Sequence, residues 1–203
     1  MRILLIATNR HQRLMSRMNA YPAPIGLAYI AGYLDPDRHD VKILDLMFSE
    51  DYLEETGRTV REFQPDLIGI SLRNLDNVSY MDPQWALPGT KEVIDKIRSI
   101  TEAPIVCGGP GFSLLPEACF DYLGLDLGVA GDGGESFAQL ADAMESGETY
   151  HNMPGLVYRD DTGSIVRKGL AYSEFSKPPL LDQLDMARYE KAGFGIGVGT
   201  KLG

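Results

Sequence analysis

No apolar run in this chain approaches the ~20 residues that a membrane-spanning helix needs. No cluster of Lys and Arg offers a footprint for nucleic acid or an anionic membrane. Acidic residues outnumber basic ones 29 to 19, for a net charge of −10, so neither partner is expected. Two cysteines, Cys107 and Cys119, make neither a disulfide framework nor a metal site. Both lie among apolar neighbours and read as buried free thiols. The three histidines, His11, His39 and His151, are scattered with no supporting triad, so no catalytic residue and no metal ligand is assigned. A secretory signal pattern is also missing, which makes a cytoplasmic protein the expectation. What remains is an ordinary soluble composition, 44% hydrophobic and 24% charged. A chain of 203 residues buries enough surface to fold without staples.

Hydrophobic patterning alternates strand and helix. Arg2–Ala7, Val41–Met47, Leu67–Ser71, Ile105–Cys107 and Asp126–Ala130 read as short strands buried on both faces. Between and after them run helices, marked by Leu27, Ala28, Ala31 and Leu34; by Leu53, Thr56, Val60 and Phe63; by Val93, Ile94, Ile97 and Ile100; by Leu115, Ala118, Cys119 and Tyr122; and by Phe137, Leu140, Ala141 and Met144. Such alternation predicts an α/β fold: a Rossmann-like, flavodoxin-like five-stranded parallel sheet, order 2-1-3-4-5, with helices on both faces. Residues 1–150 form this domain. Leu156–Arg159 and Ser164–Lys168, joined by Asp160-Asp161-Thr162-Gly163, predict a β-hairpin extension over 151–175. Residues 176–203 read as a linker followed by a strand at Gly193–Thr200 with nothing to pair with.

Three polar, glycine-rich loops follow strands three, four and five: Ser71-Leu72-Arg73-Asn74, Gly108-Gly109-Pro110-Gly111-Phe112-Ser113 and Gly131-Asp132-Gly133-Gly134-Glu135. In a parallel sheet all three open at the carboxyl-end edge, where α/β sheets hold ligands. Glycine lets backbone approach a large flat molecule, and Ser and Asn supply short hydrogen-bonding tips. The loops also exclude common ligands. After strand one stands Thr8-Asn9-Arg10-His11, which is no dinucleotide fingerprint, P-loop or flavodoxin phosphate grip. Strand three closes on Ser71, where a receiver domain would carry Asp.

In order along the chain, Pro22-Ala23-Pro24-Ile25-Gly26-Leu27-Ala28-Tyr29, the loop from Ser71 to Asn77, Gly108 to Glu117 and Gly128 to Glu135 resemble the cobalamin-binding domain of B12-dependent radical SAM enzymes. The last segment carries one residue more than that family's G-x-x-G-E-G-E. The resemblance implies cobalamin as cofactor and partner. Ser71 and the loop Gly108, Gly109, Pro110, Gly111, Phe112 and Ser113 would line a slot for its nucleotide tail, and Leu72, Arg73 and Asn74 after Ser71 would also bind the cofactor. Gly131, Asp132, Gly133 and Glu135 would close around the tail or the ring edge. Thr8, Asn9, Pro24, Ile25 and Gly26 would lie near the corrin. Alternatives stay open: tight turns alone for the glycines, local caps for Arg73 and Asn74, and either stacking on the corrin or pinning of their loop for Trp85 and Tyr80.

Many cobalamin domains ligate cobalt through D-x-H-x-x-G. The nearest match, Asp37-Arg38-His39-Asp40-Val41-Lys42, lacks the glycine, so the resemblance implies base-off binding without a protein imidazole. In that family T-K-x-G leads into C-x-x-x-C-x-x-C, the ligands of a [4Fe–4S] cluster. The sequence closes on Gly199-Thr200-Lys201-Leu202-Gly203. The expectation is an amino-terminal piece of a methyltransferase or related radical-tailoring enzyme, not catalytic alone. Its cluster, S-adenosylmethionine site and radical SAM barrel would lie further along the chain. The competing reading is a domain that has lost cobalamin and docks substrate or the barrel.

Overall fold

The computed structural model describes residues 1–9, 21–77, 80–172 and 176–192. One sheet runs in the order β2-β1-β3-β4-β5-β6-β7. Strands β1 (Arg2–Ala7), β2 (Asp40–Asp45), β3 (Leu67–Ser71), β4 (Ile105–Gly108) and β5 (Leu127–Val129) are parallel, in the expected 2-1-3-4-5 order. The hairpin β6 (Leu156–Arg159) and β7 (Ile165–Arg167) continues the same sheet antiparallel to β5. The five-stranded sheet of the sequence reading is thus a seven-stranded one. Without β6, the backbone groups along the open edge of β5 would lack partners, and that is what the hairpin satisfies.

The pleat sends alternate residues of β1 to opposite cores. Leu4 and Ile6 join Ile68, Ile70, Val93, Ile97, Phe120 and Leu123 on one face. Ile3 and Leu5 join Leu27, Ala31, Phe137 and Leu140 on the other. The first face is covered by helices α2 (Tyr52–Phe63), α3 (Leu87–Arg98) and α5 (Pro116–Leu123), and the second by α1 (Ile25–Tyr33) and α6 (Gly134–Ser146). Asp51 caps α2 by accepting the Glu54 N–H at 3.0 Å. The face of α5 is a correction: Pro116, Cys119, Phe120 and Leu123 are buried, whereas Leu115, Ala118 and Tyr122 are exposed. A separate short helix, α4 (Pro110–Leu114), precedes it. Pro116 restarts the chain one residue later, turning the inward stripe by about 100°. Both cysteines are free and buried, and burial pushes the Cys107 thiol up, out of reactive range.

Past the hairpin the chain is more structured than a linker. Pro178 crosses α1 at Gly32, where any Cβ would sit 2.0 Å from the Pro178 carbonyl oxygen. The Leu180 N–H then donates to the Ala28 carbonyl at 2.9 Å. A final helix, α7 (Met186–Lys191), is capped by Asp185 and plants Tyr189, 1% exposed, against Phe48. The strand expected at Gly193–Thr200 lies outside the described residues. Among the described residues no helix is long and apolar enough to cross a membrane.

Candidate functional site

Strand register brings the loops together. Ala7 pairs with Ser71, and Ser71 with Gly108, so β1, β3 and β4 end at one level. Two adjoining cavities open there and share Gly26, Leu27, Ser71 and Pro110. A slot of about 450 Å³ runs between the sheet and two helices. Leu5, Gly69, Val106 and Val129 form its sheet wall, and Tyr29, Ile30, Tyr33 and Phe137 the helical one. An upper cavity of about 360 Å³ lies among Ala7, Asn9, Pro22 to Ile25, Arg73, Met186 and Tyr189. Both fall within the range of small-molecule and cofactor sites, roughly 300–1,000 Å³. Neither is plugged by side chains of the described residues.

Close packing explains the glycines that build the mouth. At Gly69 a Cβ would come within 2.7 Å of Leu5 and 3.2 Å of Phe137. Gly134 admits the Tyr33 ring, which would stand 2.7 Å from a Cβ there. Gly109 and Gly131 have φ of +99° and +98°, conformations that L side chains rarely adopt. Ser113 locks two loops together: its Oγ donates to the Gly109 carbonyl and accepts the Gly131 N–H, both at 2.9 Å. Behind Gly131 the segment at Ala171 acts as a brace, because Asp132 N–H donates to its carbonyl and Ala171 N–H to Ala130, each at 2.8 Å.

The residues singled out from sequence divide into two groups. Asn9, Pro24, Ile25, Gly26, Ser71, Arg73, Gly108, Gly109, Pro110, Ser113, Gly131, Asp132 and Gly133 line the cavities. Thr8, Leu72, Asn74, Gly111, Phe112 and Glu135 do not. Thr8 donates to the Ser71 carbonyl and pairs with Thr90, tying β1 to β3 and α3. Phe112 and Leu72 are fully buried in the core on the opposite face, where Gly128 makes room for the Phe112 ring. Gly111 packs against the backbone of Leu72 and Asn74. Glu135 is exposed in the first turn of α6 and accepts from Gln139. Tyr80 and Trp85 are 97% and 58% exposed and line neither cavity. His39 lies at the start of β2, at the far edge of the sheet, with Nε2 3.1 Å from Asp142. No histidine among the described residues lines either cavity.

Sequence reasoning missed the wall residues Tyr29, Ile30, Tyr33 and Phe137 and the roof residues Met186 and Tyr189. A signal for the first was present: α1 carries apolar side chains all round, one face for the core and one for the slot. For the roof there was none, because α7 is held there by the contact of Tyr189 with Asp45, 144 positions away in sequence.

Two side chains in these walls carry buried polar atoms without hydrogen-bond partners among the described residues. One is Asp132, through its Oδ2 in the slot. The other is Asn9, through its whole carboxamide in the upper cavity. Beside Asn9, Tyr189 donates to Asp45 Oδ2, and Asp45 Oδ1 accepts the Met47 N–H at 3.0 Å. Burial pushes the Asp45 carboxyl above its ordinary value of 3.8, against these hydrogen bonds, and burial beside Asp45 also drives the Tyr189 phenol up. The folded state therefore holds the Asp45 proton more tightly than the unfolded chain. Its contribution to stability is full below the unfolded pKa and is lost as pH rises through the folded one. Asp45→Asn keeps the hydrogen-bonding shape and cannot ionise. Urea melts at pH 4 and pH 7 should show the variant gaining on the parent as pH rises; a pH-independent difference would contradict the burial argument.

Comparison with known proteins gives matches over the same region. The B12 binding domain family model matches residues 14–141. Tryptophan 2-C-methyltransferase of Streptomyces laurentii is 33% identical over 166 residues, covering 79% of this chain and 26% of that protein. The radical S-adenosylmethionine methyltransferase TsrM from Kitasatospora setae, solved with cobalamin and a [4Fe–4S] cluster bound, superposes with a TM-score of 0.73 at 28% identity. That match covers 91% of this chain and 33% of TsrM. The cobalamin-dependent radical enzyme OxsB shares the fold, with a TM-score of 0.74 at 17% identity over 96% of this chain and 26% of OxsB. The chain spans between 26% and 42% of the length of the curated relatives it matches.

Proposed function

The chain belongs to the B12-binding domain family, and on that premise we propose that its 203 residues hold cobalamin for a radical S-adenosylmethionine enzyme, most directly a methyltransferase. The observation that carries this reading is the open pair of cavities at the carboxyl-end edge, lined by the loops after β1, β3, β4 and β5. The alternative, a domain that has given up the cofactor and serves docking, has no use for so much unfilled volume in a close-packed protein.

The residues present fit the cofactor. The slot between Gly69, Val106, Val129 and the α1 and α6 side chains is apolar, as the nucleotide base requires. The Asp132 oxygen, buried without a partner, stands ready to accept a ribose hydroxyl. Gly108, Gly109 and Gly133 let backbone approach closely, while Asn9, Pro24, Gly26 and Arg73 face the upper cavity, where the corrin would rest. When bound, cobalamin supplies a cobalt centre that accepts and passes on a methyl group. What this chain would contribute is an apolar slot that draws the nucleotide tail, base included, away from the ring, and a fixed orientation; with the base held there the cofactor would be bound base-off. Cys107 and Cys119 are buried in the core, so a [4Fe–4S] cluster and its S-adenosylmethionine would belong to a radical SAM barrel formed by other residues of the enzyme.

Mixing the protein with hydroxocobalamin, desalting it and recording the visible spectrum tests the reading. A stoichiometric corrin spectrum is expected, and loss of all colour would overturn it. Reduction of the loaded protein to the cobalt(II) form should give an EPR spectrum without nitrogen superhyperfine splitting. A resolved splitting would overturn the assignment of a base-off cofactor without a protein imidazole, its nitrogen belonging either to the cofactor's own base or to a histidine such as His11, which lies outside the described residues.

A further inference from the structure

Asn9 is 4% exposed, faces the upper cavity, and makes no hydrogen bond with either Oδ1 or Nδ2 among the described residues. A buried amide unmet at both ends is a group waiting for a partner, since buried polar atoms are nearly always satisfied. Its polar neighbours do not fill that role. Asp45 accepts from Tyr189 and from the Met47 N–H, so those groups are committed to one another. Asn9 lies close enough to both Asp45 and Tyr189 to favour their charged forms. That places a polar backing behind it, with which it interacts, while neither its donor nor its acceptor meets a partner at hydrogen-bond geometry among the described residues.

The ligand chemistry follows from what an amide side chain presents. Oδ1 accepts and Nδ2 donates, side by side in one plane. A phosphate or carboxylate would satisfy only the donor, and a hydroxyl would satisfy only one end at a time. A primary carboxamide satisfies both through a reciprocal pair of N–H···O=C bonds. Flipping the Asn9 amide leaves this match unchanged.

Given the cobalamin reading above, on which this step rests, we propose that Asn9 recognises one of the primary carboxamides on the rim of the corrin ring through such a reciprocal pair. Asp45 and Tyr189 position it from behind. Asn9 thereby sets the rotation of the ring in its cavity, while Asp132 and the slot act on the nucleotide tail. Recognition of the ring and of the tail is divided between two orphaned polar groups on different loops.

The test uses hydroxocobalamin and the series of its ring monocarboxylic acids, in each of which one rim carboxamide is hydrolysed to a carboxylate. For the parent protein, one isomer should bind about ten- to a hundredfold more weakly than its siblings, the loss expected for a mispaired buried hydrogen-bonding group. Asn9→Leu should weaken hydroxocobalamin binding by a similar factor and remove the difference between isomers. Equal binding of all isomers by the parent would overturn the proposal without any variant being needed. Unchanged affinity in Asn9→Leu would overturn it as well. Discrimination that persists in Asn9→Leu would belong to repulsion by Asp45 and would also refute it. A parent that retains no hydroxocobalamin at all refutes the underlying cofactor reading instead, an outcome distinct from these three.

Discussion

Gly26→Phe should abolish retention of hydroxocobalamin while leaving the melting temperature unchanged or slightly raised. Gly26 lines both cavities, and a Cβ built on it meets nothing within 4 Å. It lies in α1, where glycine costs up to ~1 kcal/mol relative to a better helix former. Replacement therefore relieves a backbone penalty and drives an aromatic ring into the opening that the two cavities share. A ring of this size occupies volume that the corrin and its tail need together, so affinity should fall by roughly a hundredfold or more, about 2.8 kcal/mol. Spectral titration alongside thermal melting separates the two effects. Cobalamin affinity within threefold of the parent would mean that the cofactor does not pass Gly26, and the proposed site would be wrong. An unfolded variant would instead mean that the space beside Gly26 is not open.

The opposite balance is expected at Gly131. Here φ is +98°, and an added Cβ would lie 2.3 Å from the Ala171 carbonyl oxygen and 2.7 Å from its nitrogen. Both atoms belong to backbone, so neither moves as a side chain could. Gly131→Ala must strain the left-handed conformation and push the Ala171 brace away from the loop. That breaks the Asp132 N–H to Ala171 bond along with it. Strain and lost bonding together should cost about 3 kcal/mol or more. In a chain of this size that corresponds to a fall of about 6–12 °C in melting temperature. Gly147→Ala is the control: φ is +71° there, yet nothing lies within 4 Å of the new Cβ. It should lose only the conformational part, about 1 kcal/mol. Equal losses at the two positions would show that the brace is not rigid. In that case the loop that carries Asp132 would not be preorganised.

Much of this architecture was legible from the residues because local patterning decides it. Continuous apolar runs such as Ile3–Ile6 have to be covered on both faces, so parallel strands and their alternating helices follow. Polar glycine-rich loops after three successive strands then meet at one edge by topology alone. Thirteen of the residues singled out on that basis line the cavities; the exceptions show where local reasoning ends. Phe112 stands in the middle of a loop that faces the cavities, but α4 turns its ring through to the opposite core, into the space left by Gly128. Thr8 is polar and ends β1, but Ser71 and Thr90 engage its hydroxyl. A side chain's direction depends on which partner is within reach, and no sequence window contains those partners.

What the sequence by itself determined is a parallel sheet with alternating helices and the edge at which a ligand would bind, since both follow from hydrophobic period and crossover handedness; the order β2-β1-β3-β4-β5 was the flavodoxin-like choice among those such alternation allows, and the structure has it. The tertiary structure alone decided which segments wall and roof that edge. The β6–β7 hairpin joined the sheet because β5 had an unpaired edge to cover. The segment from Pro178 to Tyr189 folded back over α1, where Gly32 permits close approach and Phe48 and Asp45 receive the Tyr189 ring and hydroxyl. These contacts join residues more than 140 positions apart. Their free energy comes from shape and pairing across that distance, which no local periodicity encodes.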